Sequence, residues 1–260
     1  MAGIKIKTPD ELKLMRSSCA VAAEVLEEIG GFIKPGVTTK QVDDFAAEQI
    51  KARGGKSAFL GYRKYPRHVC ISVNEEVVHG LGGERELRFG DIVSVDVGVA
   101  HKGFIGDNAR TFAVGGCGVL AQRLLDVTEQ ALYLGIAQAK AGNRVNDISR
   151  AIQDFVEGNG YSVVREFVGH GVGRAMHEDP QVPNFVDPKM NDKLKAGMTI
   201  AIEPMVNAGR PEVKILKDGW TVVTQDGSLS AHFEHTVLIT DGEPEILTCP
   251  AATLSKLKVA

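Results

Sequence analysis

Two aspartates stand where the local pattern disfavours them. Val93, Val95, Val97 and Val99 alternate with Ser94, Asp96 and Gly98, the signature of a strand with one strongly apolar face. Asp96 falls on the other face in mid-strand, where aspartate is depleted. The next strand, from about Phe104 to Val114, carries Asp107. With the turn centred on His101-Lys102, Ala100 faces Gly103 and Asp96 faces Asp107. Directly opposed side chains lie roughly 4.5–5.5 Å apart. Two like charges at that spacing repel, so either a cation sits between them, one of them holds a proton, or both are solvated on an open face.

The second half of the chain carries matching oddities. His170 lies in Gly169-His170-Gly171-Val172-Gly173, and Glu203 lies in the otherwise apolar Ile200-Ala201-Ile202-Glu203-Pro204. Glu234 lies in His232-Phe233-Glu234-His235-Thr236, just before Val237-Leu238-Ile239. The glycines around His170 do not make a phosphate loop, because no basic residue completes one and the dinucleotide spacing is absent. Taken one at a time, a strand glutamate is usually a surface residue, and a lone histidine usually a satisfied hydrogen-bonding residue. Together the set is four carboxylates and one imidazole. Four negative charges match two divalent cations, and oxygen-rich ligation with one imidazole suits manganese, iron or cobalt, and zinc less distinctively. No thiolate belongs to the set, so it is not a structural zinc site.

The elements that would position these residues are legible in part. Thr8 is an N-cap, Pro9 takes the first helical position and Glu11 completes a capping box. Leu12, Met15, Cys19, Ala22, Leu26 and Ile29 then form one apolar stripe, stopped by Gly30, Gly31 and Pro35. A second helix follows Thr39, with Val42, Phe45, Ala46 and Ile50 inward, and ends at Gly54-Gly55. Phe59 to Val114 reads as strands and turns. Helical spacing returns near Val119 with Leu120, Leu124, Val127, Ala131 and Leu134. A fourth helix has Ile148, Ala151, Ile152, Phe155 and Val156 inward, and strands resume at Tyr161. The segment from Gly36 to Gly54 overlays Gly142 to Gly160 without a gap, either an internal duplication or a chance likeness of two amphipathic helices. This order predicts an α+β fold with helices backing a largely antiparallel sheet. A single catalytic unit over residues 1–260 is expected, with pseudo-repeats over about 8–115 and 117–248.

At 260 residues the chain can bury a sizeable core. A formal net charge of −3 provides no basic field for nucleic acid and no polybasic run for a membrane surface. No apolar run approaches the roughly 18–20 residues of a membrane helix. The first fifteen residues alternate apolar and charged types, unlike a secretory signal. Cys19, Cys70, Cys117 and Cys249 form no CxxC pair, which favours reduced thiols in a cytoplasm.

The motifs now resemble a known family. Gly61-Tyr62 with Tyr65-Pro66, the run from Cys70 to Gly80, Asp96-Val97-Gly98, Gly106-Asp107, Gly169-His170-Gly171, His177-Glu178, Ile202-Glu203-Pro204 and Phe233-Glu234-His235-Thr236 are similar, in order and spacing, to the type I methionine aminopeptidases of the short bacterial kind, in peptidase family M24. The resemblance runs from about residue 4 to residue 248. It implies the pita-bread fold, two pseudo-symmetric α+β halves around the site. It also implies that Asp96 binds one metal, that His170 and Glu203 bind the other, and that Asp107 and Glu234 bridge both. His79 would lie near the substrate amine and the scissile nitrogen, and His177 would hydrogen-bond the scissile carbonyl. Glu203 would also take a proton from the attacking water. A methionine pocket would be lined by Tyr62, Tyr65, Cys70 and Trp220, with Phe59 and Met176 nearby. Met176 stands where an aromatic is frequent and Phe59 where a small residue is frequent.

The implied activity is removal of the initiator methionine from nascent polypeptides with a small second residue, at the ribosome, by a cytoplasmic monomer. Family members also bind a monovalent cation near the positions of Asn74, Glu76 and Ser230. Two other readings stand beside this one. A prolidase or aminopeptidase P-like enzyme of the same fold usually carries an added N-terminal domain, and this chain has only a short lead-in. A non-catalytic binding module on the fold would have lost ligands, and here all five are present.

Overall fold

The computed structural model describes residues 3–249; Met1, Ala2 and residues 250–260, which the expected single unit would include, lie outside the described residues. Four helices and a nine-stranded sheet carry the architecture. The helices are α1 (Pro9–Phe32), α2 (Thr39–Ala52), α3 (Val119–Ala137) and α4 (Val145–Gly158). Numbered within the central sheet, the strands are β1 (Lys56–Ser57), β2 (Cys70–Val73), β3 (Ile92–His101), β4 (Phe104–Ala113), β5 (Gly169–Gly171), β6 (Glu178–Val182), β7 (Thr199–Ile202), β8 (Glu234–Leu238) and β9 (Glu245–Ile246). Their order is β1-β3-β4-β8-β7-β5-β6, with β2 also on β3 and β9 also on β8, and every pairing is antiparallel. The α+β expectation holds.

One face of the sheet is apolar and covered. Val93, Val95, Val97 and Val99 pack with Ala22, Leu26, Val42, Ala46 and Ile50 of α1 and α2. Ile200, Ile202 and Val237 pack with Leu124, Leu132, Ile148 and Ile152 of α3 and α4. Each valine, leucine or isoleucine among them contributes roughly 1.5–3 kcal/mol by leaving water. The polar residues of the same strands are left on the opposite face, which forms the site.

The capping box of α1 is present, with Thr8 accepting from the Glu11 N–H and the Glu11 carboxylate accepting from the Thr8 N–H. Contrary to the sequence reading, Gly30 and Gly31 do not stop α1, which runs to Phe32. Gly30 serves packing instead, since a Cβ there would lie 2.5 Å from the Phe112 ring. α2 starts one residue earlier in effect, because Thr38 is its N-cap. In α3 the predicted stripe is partly wrong: Leu120 is 80% exposed, and the buried face runs through Ala121, Leu124, Leu125, Thr128 and Leu132. Leu134, near the other end of the helix, is also exposed, at 38%; both lie to the side of the face that packs on the sheet.

The two segments that overlay in sequence have parallel geometry. α2 and α4 each have 14 residues. Gly36 and Gly142 precede them at φ +91° and +99°, and Gly54 and Gly160 follow at +69° and +82°. The Gly36 N–H donates to the Leu87 carbonyl and the Gly142 N–H to the Leu194 carbonyl, while Leu87 and Leu194 donate back to Val37 and Asn143.

Candidate metal centre and its cavity

Five neighbouring strands each supply one chemically active side chain. Across the sheet these are Asp96 on β3, Asp107 on β4, Glu234 on β8, Glu203 just beyond β7, and His170 on β5. The register puts them on one face. Asp96 and Glu234 both stand opposite Ala109, so they share its face with Asp107, two residues back along β4. Thr236 pairs with Ala201, which pairs in turn with His170, and Glu203 lies two residues on from Ala201. Small side chains at Gly98, Ala109 and Ala201 leave the space above the sheet to the larger acids.

The expected direct opposition of Asp96 and Asp107 is corrected. Asp96 pairs with Ala109 and Asp107 with Gly98, because the turn is Lys102-Gly103 rather than His101-Lys102. Both turn residues have positive φ, +50° and +82°, the geometry of a two-residue type I′ hairpin with glycine in second place. The register moves by two residues, so the acids keep a common face and become diagonal neighbours. Asp107 is also held from the far half of the chain. The Thr236 hydroxyl donates to its carbonyl at 2.7 Å and accepts from its N–H at 3.3 Å.

The His170 ring is oriented by its own strand. Its Nδ1 lies 2.9 Å from the Gly171 carbonyl, which can only accept, so Nδ1 carries the proton and Nε2 presents a lone pair. That Nε2 lies 3.6 Å from Asp107 Oδ2 and 3.5 Å from Glu203 Oε1. A lone pair facing two carboxylates is repulsive unless something positive lies among them. Asp107, His170 and Glu234 each offer one donor atom within 4.8 Å of the others. Buried oxygens of Asp96 (Oδ1), Asp107 (Oδ1) and Glu234 (Oε1) have no hydrogen-bond partner, an arrangement that costs several kcal/mol per uncompensated ion.

These environments favour the uncharged form of each group. Burial, above all, raises Asp96 to about 7 and Glu203 to about 8. Burial, then the neighbouring carboxylates, pushes Asp107 and Glu234 well above the usual carboxylate range. Burial pulls His170 down to about 3, and His79 and His177 down to about 4. The donor set therefore fits two divalent cations: orphaned oxygens, a directed imidazole lone pair, and four acids that would otherwise hold protons. Because the ligands must shed those protons, metal binding is expected to release protons, and more at about pH 6.5 than at about pH 8.5. Calorimetric titration in buffers of different ionisation enthalpy measures this; release that does not fall with pH would mean that other groups bind the metal.

A cavity of about 210 Å³ opens over the cluster. All five cluster residues line it, and so do His79, His177, Phe59, Tyr62, Tyr65, Cys70, Met176 and Trp220. Phe59, Tyr65, Cys70 and Met176 form one buried apolar group, with Tyr62 and Trp220 packed on it. Gly98 makes room for Phe59, since a Cβ there would lie 2.6 Å from its ring. The Tyr65 hydroxyl donates to the Gly80 carbonyl at 2.8 Å and its ring meets Trp220 edge-on at 5.1 Å. His79 has φ +60°, and Phe167 meets its ring edge-on at 5.3 Å. A non-glycine residue in that region costs about 1–3 kcal/mol, a strain typical of functional sites.

The chain matches metallopeptidase family M24 over residues 13–241. It is 51% identical to the methionine aminopeptidase of Clostridium perfringens over 245 residues, covering 94% of this chain and 98% of that one. It is 48% identical to the Escherichia coli K12 methionine aminopeptidase over 247 residues, 94% of each chain. The crystal structure of methionine aminopeptidase from Rickettsia prowazekii superposes with a TM-score of 0.93 at 40% identity, covering 95% of this chain and all of that one. The chain belongs to the M24 methionine aminopeptidases. A prolidase from Pyrococcus furiosus, at 22% identity and a TM-score of 0.78, shares the fold.

Two residues of this M24 peptidase's site escaped the sequence reading. His232 is buried, with Nε2 lacking a hydrogen bond and 3.5 Å from Glu203 Oε2. Its spacing from Glu234, two residues along an extended chain, was the available signal. Phe167 has no comparable signal, because its place beside His79 depends on contacts distant in sequence. At the site expected for a monovalent cation, the Asn74 carbonyl accepts from the Ser230 N–H at 2.9 Å. The Asn74, Glu76 and Ser230 side chains are all engaged by protein partners, leaving backbone carbonyls as the donors for such an ion. Among the described residues no helix is long and apolar enough to cross a membrane.

Proposed function

We propose that this M24 peptidase removes the N-terminal methionine from new polypeptides whose second residue is small, in the cytoplasm and at the ribosome. The observation that carries the reading is one cavity lined both by the five-residue ligand set and by an apolar slot of Phe59, Tyr65, Cys70 and Met176. Filling that slot with a thioether side chain contributes roughly 1.5–3 kcal/mol. Cys19, Cys70 and Cys117 form no disulfide, which supports a reducing compartment. The matching geometry of α2 and α4 supports one catalytic unit built from two repeats, over about 8–115 and 117–248.

Asp96 would hold one divalent ion, His170 and Glu203 the other, and Asp107 and Glu234 both; cobalt, manganese, iron or zinc fit this donor set. When bound, such ions supply Lewis-acid activation of water at neutral pH and charge complementary to a developing oxyanion. The protein's own residues do the rest. Glu203, whose burial raises its proton affinity, accepts the proton of the attacking water and delivers it to the leaving nitrogen. His177, neutral at pH 7, donates a hydrogen bond to the scissile carbonyl as negative charge develops there, worth about 3–4 kcal/mol for a well-placed donor. His79, also neutral, meets the substrate amine and the scissile nitrogen. The aromatic walls exclude water.

The test is to incubate metal-free protein with Met-Ala-Ser and Met-Leu-Ser, add cobalt, manganese, iron(II) or zinc in turn, and follow free methionine. Metal-dependent release from the first peptide only is expected. No release with any metal would overturn the enzymatic reading. His79→Ala is expected to lower turnover about 100-fold with bound metal unchanged, as measured by elemental analysis. Equal loss of both would place His79 among the ligands.

A further inference from the structure

Tyr62 does more than form a wall of the cavity. Its hydroxyl lies 2.8 Å from His177 Nδ1, and the two rings stack at 5.4 Å with planes 19° apart. Among the described residues this is the only hydrogen bond of the His177 ring. It also joins the two halves of the chain, 115 residues apart. Tyr62 is half-exposed, so its hydroxyl could have been satisfied by water; instead the backbone is bent to deliver it. Gly61, Arg63 and Lys64 around it all have positive φ, at +83°, +49° and +74°. The turn is closed by the Gly61 N–H donating to the Tyr65 carbonyl and the Tyr65 N–H donating to the Tyr62 carbonyl, each at 2.8 Å. Tyr65 is anchored in turn through its hydroxyl to the Gly80 carbonyl.

We propose that Tyr62 is a positioning residue that sets the tautomer and ring orientation of His177. This rests on the role proposed above for His177. A phenol is a stronger acid than a neutral imidazole N–H, and an imidazole nitrogen is a better acceptor than a phenol oxygen. The bond therefore runs from Tyr62 O–H to Nδ1, and the ring proton resides on Nε2. A protonated Nε2 can donate to a carbonyl oxygen as it gains charge; the opposite tautomer would present a lone pair to that oxygen and repel it. Stacking holds the ring plane while the hydrogen bond selects its rotation.

Tyr62→Phe keeps the ring and removes only the hydroxyl. In zinc-loaded, diamagnetic protein labelled with nitrogen-15 in its histidines, wild-type His177 is expected to show a protonated Nε2 and an unprotonated Nδ1. In Y62F the His177 signals alone should shift toward a mixture of tautomers. The kcat for Met-Ala-Ser should fall about tenfold, with KM changed less than about twofold. A protonated Nδ1 in the wild type would overturn the proposal. So would movement of only one readout, spectrum or kcat, in the variant. If the wild type released no methionine, the functional reading would fail on its own, while the tautomer would still be read from the spectrum.

Discussion

Asp107→Asn is expected to raise the melting temperature of the metal-free protein at about pH 8 while abolishing most of the gain that metal brings. Asp107 is buried beside Asp96, Glu203 and Glu234, and its carboxyl is held well above its unfolded value of about 3.9. A group with a raised folded pKa contributes stability that is fully present below the unfolded value and is lost as pH rises through the folded one. At about pH 8 the unfolded Asp107 is ionised, so the metal-free fold bears the cost of holding its proton or of crowding its charge among the other acids. Asparagine removes that cost, keeps the shape and can donate to Glu234. Each kcal/mol recovered is worth roughly 2–4 °C for a chain of this size, and the difference from wild type should narrow toward about pH 5. The same change removes a ligand charge, so metal affinity should fall by about 100-fold or more, and turnover with it. Melting curves with and without manganese, at both pH values, read all of this. A variant that melts lower without metal yet gains normally from metal would make Asp107 a structural residue.

The second large effect is expected at Glu203. Glu203→Gln keeps volume and one carbonyl oxygen but cannot accept the water proton. Its side chain is only 13% exposed, so bulk water is a poor substitute. Methionine release should fall about 1,000-fold, with KM changed only a few-fold. Metal content should fall less than in Asp107→Asn, since Glu203 is proposed to hold one ion and Asp107 both. A loss of activity that is fully restored by excess metal would reduce Glu203 to a ligand and leave the base elsewhere.

The legible part of the site was local. Asp96 and Asp107 stand out as aspartates within strands, where that residue is disfavoured, Glu203 as an acid in an otherwise apolar strand, and Glu234 as one just before an apolar run. The capping box at Thr8 and the glycines bounding α2 and α4 were readable because a few adjacent residues decide them. The pairing of β4 with β8, which brings Asp107 beside Glu234, depends on contacts more than a hundred residues apart that no local pattern encodes. The β3–β4 register was missed by two residues because a turn at Lys102-Gly103 demands positive φ at both positions. That slip preserved parity, so the acids stayed on one face. Leu120 and Leu134 have the right spacing for the α3 stripe, but the buried face is turned toward Ala121, Leu125 and Leu132. His232 alternates with Glu234, yet its meeting with Glu203 needs the fold.

Asp96, Asp107, His170, Glu203 and Glu234 are proposed to hold two divalent ions together. Diffraction from crystals grown with manganese, recorded at the manganese absorption edge, tests it most directly. Two anomalous peaks are expected in the cluster, one touching Asp96, the other His170 and Glu203, and both touching Asp107 and Glu234. No peak there, or manganese bound only elsewhere on the protein, would contradict it.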